Sequence, residues 1–326
     1  MSKYLYLLLL SYTLIHYPAY AVAEPVTNEG LINEFITEMV VQHKFDAAQL
    51  KNVFSQIQRR QSILDAISRP AESKPWHEYR PIFLTRDRLN GGIKFWQQNK
   101  DPLEKAAEVY GVPEEIIISI IGVETRYGQH AGQYPVIDAL ATLAFDYPPR
   151  SAFFRKELQE YLLMTREEGL DPLKLKGSYA GAMGMPQFIA SSFRRYAIDF
   201  NNDGQRDLWN NKIDVIGSVA NYFKKHQWEK GQPIANRVRV HGEKYRNIIS
   251  TDLKPALSLT ELMDNGVTLP QGLPKDIKGT LIELEGKDGP EYWVTWHNFY
   301  VISRYNHSAL YSMAVFQLSQ RLRAEQ

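Results

Sequence analysis

The chain contains no cysteine, which removes disulfides, thiolate zinc sites, cysteine nucleophiles and iron–sulfur clusters. Any catalysis must therefore use oxygen and nitrogen groups. Charge of one sign is lacking as well: 38 basic residues stand against 37 acidic ones. That balance argues against a whole-molecule electrostatic grip on nucleic acid or on an anionic membrane. Beyond the N-terminus, no segment approaches the ~20 apolar residues that a membrane-spanning helix needs. No histidine pair has metal-ligand spacing such as HExxH, and no GxxxxGK[ST] phosphate loop occurs.

What is present suits a globular protein. Of 326 residues, 44% are hydrophobic, enough to bury a core, and the length corresponds to about two folded units. Met1 to Ala23 read as a signal peptide, with Lys3 as a minimal basic start. An apolar stretch from Leu5 to Ile15 follows, and Ala19-Tyr20-Ala21 or Ala21-Val22-Ala23 would serve as cleavage site. The expectation is an exported, periplasmic, soluble chain starting near Glu24, without a stable membrane anchor.

Most of the remainder has helical spacing, including Leu31, Phe35, Met39 and Val40, then Leu50, Val53, Phe54 and Ile57 after the cap Asp46. Residues 69–75 break the pattern as a linker. Asp101-Pro102 should open a helix that Gly111 closes, and Pro113 should open the next. Helical patterns also cover 151–168, 186–197 and 213–226. After Gly231 the character changes: Val238 and Val240 alternate with arginines, Thr280 to Leu284 is β-prone, and Tyr292 to Ile302 is rich in aromatic and β-branched residues. Helical spacing returns at Leu310, Met313, Ala314 and Leu318. A small β module thus lies between two helical parts.

The most informative carboxylate is Glu124. Helical spacing sets it on the same side as Ile117, Ile120 and Ile121, and Gly128 reads as the residue that ends this helix. Burial and the negative end of the helix dipole both disfavour the anion. Both favour a carboxylic acid that keeps its proton near neutral pH, as a general acid must. A buried structural glutamate satisfied by an arginine or by backbone donors is the other reading.

Gly177 to Phe188 holds three glycines, with Ser178 and Gln187 able to bond sugar hydroxyls or amides and a helix expected from Pro186. A tight helix–helix contact explains the same glycines. Asp199, Asn201 and Asp203 with Gly204 match positions 1, 3, 5 and 6 of an EF-hand loop, and Gln205 would offer its carbonyl at 7. Position 12 fails, since Asn210 stands there, and Asp214 could close a longer loop. Bound structural Ca²⁺ is expected, against the alternative of a turn rich in Asp and Asn.

Gly122 to Gly128, the Gly177 to Phe188 run, the Asp199 loop followed by Ile216 to Phe223, and Arg304-Tyr305-Asn306-His307-Ser308 occur in that order. Together they resemble the B-type lytic murein transglycosylases, from about Trp76 to Leu318. The resemblance implies a mainly α (α+β) fold: a helical N-terminal domain over 24–104, a lysozyme-like catalytic core over 105–230, a small inserted β domain over 231–292, and a return to the core over 293–326. It implies cleavage of the bond between N-acetylmuramic acid and N-acetylglucosamine in peptidoglycan without water. Glu124 would act as acid and then as base, leaving 1,6-anhydro ends, and no cofactor would serve the chemistry.

By motif position, Ser178 and Gln187 would lie beside the cut bond, and Tyr305 and Asn306 would orient the sugar. Tyr79, Tyr222 and Phe153, the last where the family often has tyrosine, would be aromatic walls. Asp199, Asn201, Asp203, Gln205 and Asp214 would hold calcium, although the loop is one residue longer than the family pattern between Trp209 and Asp214. The lipid-bearing cysteine of the lipoprotein members is absent. Peptidoglycan strands are the expected partner, with envelope synthesis or hydrolysis proteins as candidates. Two alternatives share these residues: a non-catalytic peptidoglycan-binding envelope protein, and a lysozyme-type hydrolase using Asp138 or Asp146 as second carboxylate.

Overall fold

The computed structural model describes residues 24–25, 28–68 and 74–326. The expected signal peptide and most of the expected linker lie outside the described residues. Among the described residues fourteen α-helices dominate: α1 Glu29–His43, α2 Ala47–Phe54, α3 Gln61–Ile67, α4 Trp76–Phe83, α5 Arg86–Gln98, α6 Lys100–Tyr110, α7 Glu114–Thr125, α8 Val136–Asp146, α9 Ser151–Glu167, α10 Ala190–Tyr196, α11 Lys212–Lys225, α12 Leu259–Asp264, α13 His297–Ser303 and α14 Ala309–Ala324. No helix among the described residues is long and apolar enough to cross a membrane.

Helix α7 runs through the centre, packed against α5, α6, α11 and α14. The sequence placed three isoleucines on one side; in fact Ile116 to Val123 are buried on every side. A helix apolar all round is a core helix. At roughly 1.5–3 kcal/mol for each fully buried isoleucine, this burial outweighs the cost of one carboxylate held in the last turn. One continuous core runs from Phe35 on α1 through α7 to Leu322 on α14, so α1–α3 share their apolar interior with the central helices. Asp46 caps α2, accepting from the Gln49 amide at 2.7 Å.

The inserted module is a four-stranded antiparallel sheet. Strand 278–286 turns through Lys287-Asp288 into strand 289–295, with Ala235–Arg237 and Leu257–Ser258 on the two edges. Period-two alternation sends the hairpin's two faces into different cores. Leu281 and Val294 pack with Val238, Tyr245 and Leu262 inside the module. Ile282, Leu284 and Trp293 pack with Trp76, Phe299 and Met313, which binds the module to α4, α13 and α14.

Three local expectations need correction. Tyr292 to Ile302 is not one strand: pairing stops at Thr295, and α13 follows, because Phe299, Val301 and Ile302 are buried at helical spacing. Tertiary packing overrides β-propensity there. Helix α6 starts at Lys100, directly after α5, rather than at Pro102. No helix starts at Pro186: Gln187 is left-handed (φ 52°), Met183 and Phe188 bridge, and α10 begins only at Ala190.

Candidate active site

Three segments meet at Glu124: the end of α7, the glycine-rich turn 177–189, and the segment from Tyr305 into α14. Helix α7 ends one residue after Glu124, with Arg126 as the left-handed cap, so Gly128 is not the residue that stops it. Arg126, Tyr127 and Gly128 are all left-handed (φ 50°, 61° and 91°). Non-glycine residues rarely adopt this geometry, and here the side chain of Tyr127 holds it. The ring lies against Gly91, Gly92 and Gly122, where an added Cβ would approach it to 2.9 Å or closer. Its hydroxyl donates to the Arg88 carbonyl at 2.8 Å.

Thr125 fastens this helix end to the turn. Its hydroxyl donates to the Met185 carbonyl at 2.8 Å and accepts from the Gly128 amide at 3.0 Å. The turn is held from below by buried Met183, Met185 and Phe188. Ser178 Oγ accepts from the Ala182 amide at 3.0 Å, and the Gln187 amide donates to Ala131 and Gly184 carbonyls at 3.1 and 2.9 Å. The glycines thus build close backbone approach within one loop system: a Cβ on Gly132 would lie 2.1 Å from the Gly177 backbone. Tyr305 donates to the Pro186 carbonyl at 2.6 Å, joining the C-terminal segment to the same turn.

Glu124 is a half-buried residue, and its carboxyl accepts from the Tyr311 hydroxyl at 2.5 Å. Burial lifts its pKa from the ordinary 4.5 to about 7, with the Tyr311 hydrogen bond pulling the other way. No second carboxylate contributes to that shift. The phenols of Tyr311 and Tyr305 are held well above their ordinary pKa, by burial first and by Glu124 second, so both remain donors. The two acids considered as partners are otherwise engaged: Asp138 binds Arg60 at 2.7 Å, and Asp146 lies 3.4 Å from Arg59.

The structure therefore places Tyr305 and Tyr311 with Glu124, with Ser178 and Gln187 in the turn that Tyr305 bonds at Pro186 and Asn306 next to Tyr305 in the chain. The aromatic walls fare differently. Tyr222 is 6% exposed and lies behind Tyr305, with ring centroids 4.7 Å apart. Tyr79 is 7% exposed and packed beside Trp76 and Phe83. Phe153 is 38% exposed on α9, with Arg150 over its ring; no ring contact joins it to the Glu124 group. Tyr311, Thr125 and Tyr127 were missed in the sequence. The available signal for Tyr311 was its place three residues after the helix cap Ser308, within an apolar stripe.

The Asp199 loop lies between α10 and α11. Asp199, Asp203 and Asp214 each present an oxygen within 4.8 Å of the others, and no lysine or arginine pairs with them among the described residues. Unbalanced negative charge of this kind suits a hard cation held by oxygen ligands. Asp199 already accepts from the Asp203 and Gly204 amides, at 3.1 and 2.7 Å, and Asn201 bonds Asp203 at 2.7 Å. Buried Asp214 accepts from the Phe200 and Asp207 amides at 2.8 and 3.0 Å.

A helical core carrying a proton-holding glutamate at the end of its central helix defines an enzyme of the lysozyme-like class. The comparisons carry this further: the chain belongs to the transglycosylase SLT domain family, whose model matches residues 27–320. It is 45% identical over 303 residues to the membrane-bound lytic murein transglycosylase B of Escherichia coli (strain K12), covering 90% of this chain and 82% of that protein. The soluble lytic transglycosylase SltB1 of Pseudomonas aeruginosa superposes with a TM-score of 0.87 at 50% identity, over 90% of this chain and 99% of that one. The Escherichia coli lytic transglycosylase Slt35 in complex with calcium gives 0.85 at 42% identity, over 95% and 99%.

Proposed function

We propose that this protein is a lytic transglycosylase that cleaves the β-1,4 bond between N-acetylmuramic acid and N-acetylglucosamine in peptidoglycan. The carrying observation is a glutamate with pKa raised to about 7 by burial, held by a tyrosine, with no second carboxylate among the described residues contributing to that shift. Protonated Glu124 gives its proton to the bridging oxygen as the bond from C1 to that oxygen breaks. The resulting carboxylate takes the proton of the muramic C6 hydroxyl, whose oxygen then bonds C1. The proton account closes on Glu124, and water does not enter.

In ordinary glycosidases a second carboxylate serves as base or nucleophile; here the substrate's acetamido group stabilises the cationic centre. Ser178 and Gln187 bind beside the cut bond, and Tyr305 and Asn306 orient the sugar. The protein acts in the periplasm after removal of residues 1–23. Calcium, bound by Asp199, Asn201, Asp203, the Gln205 carbonyl and Asp214, would stiffen the connection between α10 and α11 and take no part in the reaction.

Mass spectrometry of fragments released from purified peptidoglycan tests this reading. Products one water lighter than hydrolysis products are expected, and none from folded Glu124→Gln. Reducing-end products would instead support a hydrolase, and binding without cleavage would support the envelope-binding protein.

A further inference from the structure

Away from the Glu124 group, a recess lies where α4, the tip of the β hairpin and the C-terminal half of α14 meet. Its volume is about 650 Å³, within the roughly 300–1,000 Å³ that small ligands occupy. A smaller recess of about 300 Å³ adjoins it and shares Arg80, Arg237, Glu291 and Arg321. No residue of the Glu124 group lines either one. Arg321 is ten positions beyond Tyr311 on α14, about 15 Å along the helix at its ordinary rise per residue.

Three guanidiniums reach the recess from three separate elements. Arg80 lies on α4 and has no acid partner among the described residues. Arg237 ends the edge strand opposite Trp293 and stands 3.8 Å from Glu291. Arg321, on α14, donates to the Leu84 carbonyl at 2.9 Å and also has no acid partner among the described residues. Lys287 and His77 add to the basic side, against Asp288 and Glu291. Glu291 is already engaged by Arg237 and by the Trp293 indole, which donates at 3.3 Å. The surplus is positive.

Two buried polar groups in these walls lack partners. Trp76 is 1% exposed, and its indole Nε1 has no hydrogen-bond partner among the described residues. Gln317, 8% exposed, lines the adjoining recess, and its carboxamide Oε1 has none either. Buried donors and acceptors are nearly always paired in folded proteins. These two need opposite things: the indole needs an acceptor and the carboxamide oxygen needs a donor.

We infer that this recess binds a phosphate ester of a small polyol, the chemistry shared by a phosphatidylglycerol headgroup and a soluble glycerol or sugar phosphate. Guanidiniums arriving from three elements suit a tetrahedral oxyanion, whose oxygens point in several directions. A planar carboxylate takes one fork in its own plane. The phosphate oxygens accept from Arg80, Arg237 and Arg321, with the Trp76 indole as a further donor, and a polyol hydroxyl donates to Gln317. Inorganic phosphate alone leaves Gln317 unsatisfied and much of the volume unfilled. Because the charges of the whole chain nearly balance, binding depends on these arginines and not on net charge.

Calorimetric titration of the protein with sn-glycerol 3-phosphate, inorganic phosphate and glycerol tests this. Glycerol 3-phosphate should bind, phosphate more weakly, and glycerol not at all. Arg80→Gln/Arg321→Gln removes two charged donors and should weaken glycerol 3-phosphate about tenfold. Arg80→Gln/Arg237→Gln serves if loss of the Arg321 bond to Leu84 impairs folding. Gln317→Leu should weaken glycerol 3-phosphate and leave inorganic phosphate unchanged, a difference that altered folding alone does not produce. Co-sedimentation with phosphatidylcholine vesicles, with and without phosphatidylglycerol, separates the two sources. Binding to the phosphatidylglycerol vesicles that the arginine variants lose assigns the lipid headgroup; binding of glycerol 3-phosphate without vesicle binding assigns a soluble ester. No binding of either ester by the wild type, or equal binding by wild type and arginine variants, would overturn the inference. Oligoglutamate bound more tightly than glycerol 3-phosphate, and lost in the same variants, would overturn it in favour of an acidic segment of a partner protein.

Discussion

At the scale of single residues, the site is a balance on one carboxyl group. Burial raises the Glu124 pKa to about 7 and the Tyr311 hydrogen bond lowers it. A general acid must hold its proton before the reaction, so kcat/KM should fall as pH rises through about 7. Tyr311→Phe removes a donor that favours the anion. The descending limb should then move to higher pH, while loss of orientation lowers the maximum roughly tenfold, on the scale of positioning effects. A pH–rate profile of the two proteins checks both; an unmoved limb would deny Tyr311 its influence on the acid. The same shift has a stability consequence. Because the folded-state pKa lies above the ordinary 4.5, the native state is favoured by this group below pH 4.5, and that contribution is lost as pH rises through 7. At 1.36 kcal/mol per unit the loss is at most about 3 kcal/mol. Folded Glu124→Gln should therefore be more resistant to urea than wild type at pH 8, with the gap narrowing toward pH 5.

At the scale of elements, the carboxyl is positioned by how α7 ends. Three successive left-handed residues redirect the chain, and the Tyr127 ring occupies the notch formed by Gly91, Gly92 and Gly122. A methyl group at position 122 would meet the Tyr127 hydroxyl at 2.5 Å. Gly122→Ala should thus cost about 1–3 kcal/mol as overpacking does and reduce kcat by displacing Glu124, whereas Gly30→Ala, with open space around it, should do neither. Thermal melts beside initial rates would read this; unchanged stability in Gly122→Ala would mean that the ring has room to move. The sequence made Glu124 legible because its isoleucine neighbours and the following motif lie within a few positions. It did not reveal the partner, Tyr311, 187 positions away, since helical periodicity says which residues are buried but not which element they meet. The turn at 186–189 was misjudged for a related reason: proline commonly opens a helix, yet the bridge between Met183 and Phe188 and the left-handed Gln187 delay α10. The strand-to-helix change at Trp296 depends on contacts with α4 and α14, which no local window contains.

At the scale of the whole molecule, two connections fix the parts around the site. The hairpin of the β module is bound through one face to α4, α13 and α14, and α14 also carries Tyr311 to Glu124. The β module is thereby packed on the helix that reaches the acid. The second connection is the Asp199 loop. Its backbone is already closed by the bonds of Asp199, Asp207 and Asp214, but three carboxylates share the space and none of them pairs with a lysine or arginine among the described residues. Neutralising that repulsion is what a calcium ion would contribute. With dissociation constants of about 10⁻⁴–10⁻³ M, the range of weak extracellular sites, 10 mM Ca²⁺ would add roughly 1.5–3 kcal/mol. The melting temperature should rise by about 3–6 °C, on the per-kcal scale of domains this large. Asp199→Ala should abolish most of the rise, and Mg²⁺, which demands tighter octahedral geometry, should reproduce little of it. Below the melting range, EDTA should leave kcat unchanged, because the loop lies between α10 and α11 and the proposed mechanism routes the proton through Glu124 without the ion. A kcat that fell with chelation while the fold stayed intact would place the ion in the reaction and contradict its structural role.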